Sequence, residues 1–253
     1  MQHVMYNTAL GPALDDVQVY PDLVSVVIPA LNEAENIRQC IAAVQRDCGP
    51  GEVEIIVVDG GSTDGTPRLV PPDVTLIRSP RGRAVQMNRG AAASHGEILV
   101  FCHADSQLPC GWREAVIETL GRPGVSGGTF QTRALPERGL LLAIRNRMRQ
   151  ATNWRLMYGD QVQFMGRETF DQVGGFPEIP LMEDVEMSRA LHQRGRLARP
   201  RDLRVITSSR RFLERGPLRQ WLQNIWAMIR YLYLGATPQD IAHTYRSSRE
   251  EAL

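Results

Sequence analysis

Residues 97–109 read EILVFCHADSQLP, and the reading of this stretch decides the fold. Residues 98–102 are a short, unbroken apolar run, the pattern of a strand covered on both faces of a parallel sheet. The run stops at His103-Ala104-Asp105, and Pro109 suits the first turn of a following helix. A polar cluster at the carboxyl end of a buried parallel strand is where open α/β sheets bind ligands. Alternate side chains of an extended segment share a face, so His103, Asp105 and Gln107 are expected to converge on one point. An acidic oxygen, an amide oxygen and an imidazole together suit a divalent cation of the Mn²⁺ or Mg²⁺ kind. The same residues also fit a plainer purpose, a strand-end Asp capping the next helix. This stretch alone does not separate the two.

Upstream, residues 24–28 form a buried strand closed by Pro29, and Asn32-Glu33 begin a helix with Ile37, Ile41 and Val44 at helical spacing. Gly49-Pro50-Gly51 ends it. Residues 54–58 are a second strand that runs into DGGSTDGT (59–66), a loop of small residues. A third strand follows at 74–77, then a loop and helix over 81–94, then the strand of the opening stretch. Four strands alternating with three helices over about eighty residues predict a doubly wound, mostly parallel sheet.

Downstream, a helix to Leu120 precedes a strand-like, glycine-marked segment at 125–133. A helix is expected from about 140 to 155, with Leu141, Ile144, Met148 and Ala151 along one face. Gly159-Asp160-Gln161 opens a strand through Met165, residues 170–180 read as a turn-rich loop, and 183–194 as a helix. A strand near Val205-Ile206 leads to SSRR (208–211). Residues 218–234 carry apolar side chains at 218, 221, 222, 225, 229 and 232 among Trp and Tyr. That face either docks on the core or lies on a membrane surface; Arg230, Gln220, Gln223 and Asn224 exclude a span. The expected organisation is a leader (1–22), one domain (23–212, in halves 23–108 and 109–212) and a C-terminal helical extension (213–253).

Composition narrows the function. With 253 residues and 43% apolar content the chain can build one sizeable core. The formal net charge of +1 lacks the basic bias of a nucleic-acid binder. All 29 basic residues are arginine, which excludes a Schiff-base lysine, a Walker lysine and a lysine base. Cys40, Cys48, Cys102 and Cys110 show no CxxC pair and read as reduced thiols. The first residues lack a basic stretch followed by an apolar one, and no apolar run nears the ~20 residues of a span. A cytoplasmic protein is expected, with the 218–234 face as its one route to a peripheral membrane contact.

Four segments, VSVVIPALNEAENI (24–37), IIVVDGGSTDGT (55–66), HAD (103–105) and MEDVEMSRAL (182–191), together resemble the inverting family 2 glycosyltransferases of the GT-A fold. Their order and spacing are the family's, and the match spans roughly residues 23–210. The resemblance implies a Rossmann-like, mostly parallel sheet flanked by helices, a UDP- or GDP-linked sugar donor, a small-molecule or lipid acceptor and a divalent cation. It implies that Asp59 accepts a hydrogen bond from the base and that Pro29, Ala30 and Glu33 line the nucleoside pocket. It also places the general base at Asp184, the second acid of Glu183-Asp184. Asp105 is the expected metal ligand, since Asp105 and Gln107 match the last two positions of an Asp-x-Asp-x-Gln pattern. His103 departs from that pattern by replacing its first carboxylate, and is expected at the metal, the ribose or a phosphate, or simply to fill space.

Arg81-Gly82-Arg83 sets two guanidiniums on a glycine-flexed loop before a helix, which suits a pyrophosphate. Arg210 or Arg211 is expected to close on the same group, and Asp160 and Gln161 to face the acceptor. The longer run SPRGRAVQMNRGA (79–91) resembles a narrower subgroup linked to arsenosugar biosynthesis and radical-SAM gene neighbourhoods. Rival functions fit less well. A nucleotidyltransferase wants a glycine-rich loop with Arg and a later Lys, and an NAD enzyme wants GxGxxG where Pro29 stands. A catalytically silent sugar-nucleotide binder is suggested by the missing first carboxylate, but retention of both Asp105 and Asp184 argues against it.

Overall fold

A computed structural model describes residues 23–136, 161–210 and 216–244. The expected leader, the helix at 140–155, Asp160 and Arg211 lie outside the described residues. The central sheet has seven strands. Its parallel half comprises β1 (Val24–Ala30), β2 (Val53–Asp59), β3 (Thr75–Arg78) and β4 (Ile98–Phe101), in the order β3-β2-β1-β4. Beyond β4 lie β8 (Gln163–Gly166), antiparallel to its neighbours, then β6 (Val125–Thr129) and β9 (Arg196–Ala198). A second, three-stranded sheet sets β5 (Ser106–Gln107) and β7 (Gln131–Leu135) on either side of β10 (Arg204–Ser208).

The unbroken apolar runs exist because both faces of the sheet are covered, so neither register of side chains meets water. On one face Val24, Val26, Ile28, Ile55, Val57, Ile98 and Val100 pack under α1 (Ile37–Gln45) and α3 (Trp112–Leu120). On the other face Val27, Ile56, Val58, Leu99 and Phe101 meet α2 (Arg83–Ala92), α4 (Arg167–Val173) and α5 (Glu183–Arg194). Phe101 is wedged between Phe170 and Phe176, with ring centroids 5.4 and 4.8 Å away. Strand order reverses between β1 and β4, so the crevice at their carboxyl ends is the switch point at which such sheets bind ligands.

Several boundaries differ from the sequence expectation. The first helix begins at Ile37, not at Asn32-Glu33, because residues 32–36 are spent in turns that hydrogen-bond the loop after β2. Between β2 and β3 only a single 3₁₀ turn (Thr66–Leu69) is found instead of a third helix. The third helix starts at Trp112, three residues after Pro109, since Gly111 takes a left-handed φ of 70° just before it. The segment expected as one strand over 125–133 is two, divided at the fully buried Phe130, which donates its N–H to the Gln161 carbonyl (2.9 Å) and sends the chain into the second sheet. The next strand opens at Gln163, two residues later than Gln161. The loop expected from 170 begins as the helix α4, which ends at Val173 with Gly174 at a φ of 81°.

The C-terminal segment forms α6 (Pro217–Tyr233) and a short α7 (Pro238–Thr244) that the sequence reading did not separate. Ala227 and Ile241 pack with Met182 and Val185, so α6 docks on the start of α5. The Tyr231 hydroxyl donates to Glu186 at 2.5 Å, and Arg189 lies 5.5 Å over the Tyr231 ring. Burial and the Glu186 carboxylate push the Tyr231 phenol up to about 12, so it stays a donor at any physiological pH. No helix among the described residues is long and apolar enough to cross a membrane.

Gly90 marks the closest approach of α2 to the sheet. A Cβ there would stand 2.2 Å from a Val27 methyl carbon and 3.0 Å from one of Val58. In an open helix Gly→Ala gains ~1 kcal/mol of propensity, whereas forcing a methyl into a packed core costs ~1–3 kcal/mol or more. The steric cost should win. Gly90→Ala is expected to lower the melting temperature by several degrees, which a calorimetric scan reads; a rise would show that α2 can lift off the sheet without penalty.

Candidate active site

Two loops at the carboxyl ends of β1 and β2 are laced together. Asn32 takes a left-handed φ of 53°, donates its N–H to Ser62 Oγ (2.9 Å) and accepts from the Thr63 N–H (2.9 Å). The Glu33 N–H donates to Thr66 Oγ1 (2.8 Å), and the Ala34 N–H to Asp64 (3.0 Å). Burial pushes the Asp64 carboxyl up, but hydrogen bonds from Thr66 and Ala34 outweigh it and hold the group below the usual range. PALNEAEN and DGGSTDGT therefore form one unit.

Within that unit Ala30 pairs with Asp59 across the sheet. Asp59 is buried, and its carboxylate accepts the N–H groups of Gly61 and Ser62 at 3.2 Å. It thus turns the chain, and a carboxylate retains further lone pairs for a ligand N–H. Beneath it lies Gln86, which the sequence reading missed. Its buried amide donates to the carbonyls of Ala30 (2.9 Å) and Val58 (2.8 Å), tying the two strand ends together. Two residues on, Asn88 clamps Phe176 through both its amide groups (2.8 and 2.9 Å).

The stretch after β4 is fixed by the second sheet. Ser106 and Gln107 pair with Thr207 and Ile206, and the Ser208 N–H donates to the Asp105 carbonyl at 3.1 Å. His103 and Asp105 are half-buried at this edge. The Gln107 amide donates to Gln39 on α1 at 3.1 Å, so that side chain turns toward the helix. Cys40 lies under the stretch, its sulfur 3.9 Å from that of Cys102. Hydrogen bonding to Cys102 and burial push the Cys40 thiol well up, leaving it neutral and inert. All four cysteines are free thiols, as their spacing predicts.

Among the described residues no group of three or more His, Cys, Asp or Glu side chains is placed to hold a metal. Asp105 with His103 offers one carboxylate and one imidazole. That fits an ion of the Mg²⁺ kind, which takes one or two carboxylates and completes its shell with substrate phosphates and water.

The acids of α5 have separate employment. Met182, with a left-handed φ of 72°, turns the chain into the helix. Glu183 is buried and meets Arg83 at 2.9 Å, which joins the two halves of the site. Asp184 is half-buried; its carboxylate accepts the Val185 N–H (2.8 Å), and its carbonyl accepts the Gln163 amide (3.0 Å). Gln163 pairs with Phe101, so Asp184 is tied through it to the end of β4. Val162, next to it, has a φ of 56°, which a β-branched residue adopts only under constraint. Gln161 is buried and holds the end of β6 through its carbonyl, accepting from Thr129 Oγ1 at 2.8 Å. Arg210, just past β10, pairs with Glu33 and Glu35, both at 3.3 Å. Arg81 is exposed. Pro29, Ala30, Glu33, Asp59, Arg83, His103, Asp105, Glu183, Asp184 and Arg210 thus all belong to the same carboxyl edge.

The Glycosyl transferase family 2 profile matches residues 25–222. The chain belongs to that family. It is 34% identical over 119 residues to the glycosyltransferase AglE of Haloferax volcanii, covering 43% of this chain and 39% of AglE. It is also 34% identical over 93 residues to the PGL/p-HBAD biosynthesis glycosyltransferase of Mycobacterium tuberculosis, covering 33% of this chain and 36% of that protein. The chain thus matches well under half the length of these relatives. Among solved structures it resembles the mannosyltransferase PcManGT of Pyrobaculum calidifontis in complex with GDP-Man and Mn²⁺, with a TM-score of 0.56 at 24% identity over 78% of this chain and 60% of that one. TarS of S. aureus in complex with UDP superposes with a TM-score of 0.58 at 18% identity, over 73% and 60% of the two chains. These likenesses show the family's GT-A fold.

The Arg83–Glu183 pair is testable by itself. Removing either partner of a buried ion pair costs more than removing both. In a double-mutant cycle of Arg83→Met and Glu183→Gln, denaturant titration should give a coupling of ~1–3 kcal/mol. Additive effects would mean that the two halves of the site are held together by other contacts.

Proposed function

We propose that this family 2 protein transfers a sugar from a UDP- or GDP-linked donor to an acceptor hydroxyl by a single inverting displacement. The observation that carries the reading is the division of labour at α5. Glu183 is buried and neutralised by Arg83, while Asp184 stays half-exposed at the helix start, anchored by Gln163 to the ligand-binding edge. In this reading Glu183 is structural and Asp184 is the base.

In this reading Asp59 accepts the N–H of uracil or guanine, with Pro29, Ala30 and Glu33 around the nucleoside. Arg81 and Arg210 face the diphosphate, and Asp105 with His103 would hold the cation. When bound, that ion would neutralise charge on the departing diphosphate. PcManGT, solved with GDP-Man and Mn²⁺, supports both a nucleotide-sugar donor and a cation. The acceptor oxygen attacks the anomeric carbon, the bond from that carbon to the diphosphate oxygen breaks with its electron pair leaving on the diphosphate, and Asp184 takes the hydroxyl proton. Gln161 is assigned to the acceptor side, as is Asp160, which lies outside the described residues. The acceptor is a small-molecule or lipid hydroxyl. Likeness of residues 79–91 to the arsenosugar-linked subgroup supports a sugar product of that class, although Arg83, Gln86, Asn88 and Gly90 of this run also serve the fold.

A general base contributes to the transition state and little to donor binding. Asp184→Asn keeps the hydrogen-bonding shape without the basicity. It is expected to bind the donor and melt as the unmutated protein does, and to transfer ~10²–10⁴-fold more slowly. A rate above a tenth of the unmutated one would remove Asp184 as base. Donor binding without turnover in the unmutated protein, for any nucleotide sugar, would identify a silent binder instead.

Asp105→Ala is expected to abolish the Mn²⁺-dependent part of nucleoside diphosphate binding by calorimetry. His103→Ala should weaken it less, because a neutral imidazole brings no charge. Transfer that is indifferent to EDTA would sink the cation role and leave the diphosphate to arginine.

A further inference from the structure

Helix α6 has two apolar faces, and the fold uses only one. Ala227, Met228, Tyr231 and Leu232 pack toward α5 and α7. On the opposite side Leu218, Leu222, Ile225, Trp226, Ile229 and Tyr233 are exposed, Trp226 by 56% and Tyr233 by 80%. At 3.6 residues per turn these six fall within an arc of about 100° that is continuous along the whole helix. Nearly all of the large exposed hydrophobic side chains among the described residues belong to this helix and its end. Scattered apolar residues at a surface are ordinary, whereas a contiguous stripe marks a binding surface.

The geometry points to an anionic membrane surface as the occupant of this stripe, with α6 lying in the plane of the lipid headgroups. Charge and residue order favour lipid over protein. The helix contains no acid, and its arginines, the exposed Arg219 and the half-buried Arg230, both fall on one margin of the stripe. Trp226 and Tyr233 lie between that margin and the Leu and Ile of the centre. Apolar centre, aromatic border and arginine edge follow the polarity gradient of a bilayer interface. The sequence leading into the helix, residues 194–219, holds nine arginines against two acids, although the whole chain carries only +1. Arginine along the stripe's margin, with no acid on the helix, suits anionic lipid. At 17 residues α6 is about 25 Å long and is not a span. Docking of α6 on Met182 and Val185 puts this attachment beside the Glu183-Asp184 end of α5.

The test is co-sedimentation of the full chain with vesicles of phosphatidylcholine containing a minority of phosphatidylglycerol, compared with phosphatidylcholine alone. Binding to the anionic vesicles is expected, weakened by salt, and at least ~tenfold weaker in the triple variant Leu222→Ser/Trp226→Ser/Ile229→Ser. The three sites are exposed, so the variant should keep its melting temperature, and the readout does not depend on sugar transfer. Failure of the unmutated chain to bind anionic vesicles would overturn the proposal, as would equal binding by the triple variant. A dimer in light scattering that the triple variant converts to monomer, with no vesicle binding, would assign the stripe to a second copy of the chain instead.

Discussion

A carboxylate removed from water has to be met by a positive charge, and Glu183 is met by Arg83 at 2.9 Å across a hundred residues of sequence. Arg83 opens α2, which packs on β1 and β2; Glu183 opens α5, which packs on β6 and β9. The pair therefore fastens the nucleotide half of the sheet to the half that carries Asp184. It occupies Glu183 in an ion pair and leaves Asp184, one residue along, half-buried at the start of the helix.

Around this joint the backbone takes conformations that cost energy. Asn32, Val162 and Met182 all have left-handed φ angles, and all three lie at the carboxyl edge of the sheet. Residues held this way cost on the order of 1–3 kcal/mol each and persist only where the surroundings over-determine them. Here the surroundings are identifiable. Asn32 is gripped by Ser62 and Thr63, Val162 sits between two buried glutamines, and Met182 is packed under α6. Rigid strands on one side and strained turns on the other aim several polar groups at one crevice.

The parallel strands were legible in the sequence because a strand covered on both faces has nowhere to place a polar residue, and residues 98–102 say so directly. The helix at Glu183–Arg194 was legible because its acids sit where free N–H groups favour them. What escaped was whatever depends on contacts distant in sequence. Gln86, Asn88 and Gln163 look like ordinary surface amides until the carbonyls they serve are placed beside them. The short helix Arg167–Val173 escaped because its Gly174 stop reads equally well as a loop. The motifs pointed to Asp59 and Asp184, but the employment of Glu183 and Arg83 by each other was not legible, since neither motif mentions the other.

That mutual employment bears on how the diphosphate would be met. Sequence pattern offered Arg81 and Arg83, and one of Arg210 and Arg211, as cations for the diphosphate. The structure separates them by what each would have to give up. Arg83 would leave a buried carboxylate uncompensated, a loss of several kcal/mol. Arg210 holds two carboxylates, Glu33 in a largely buried pair and Glu35, whose side chain is 71% exposed. Only the Glu35 pair is of the exposed kind worth about 0–1 kcal/mol. A diphosphate carries more charge than one carboxylate and accepts a guanidinium bidentately, so displacing the exposed Glu35 from Arg210 would cost less than stranding Glu183 by drawing Arg83 away. Exchange at Arg210 would also leave Glu33 with Asn36, whose amide already donates to its Oε2 at 2.6 Å. Under the proposed function, Arg83 would then be the fixed post of the site and Arg210 the cation able to change partners.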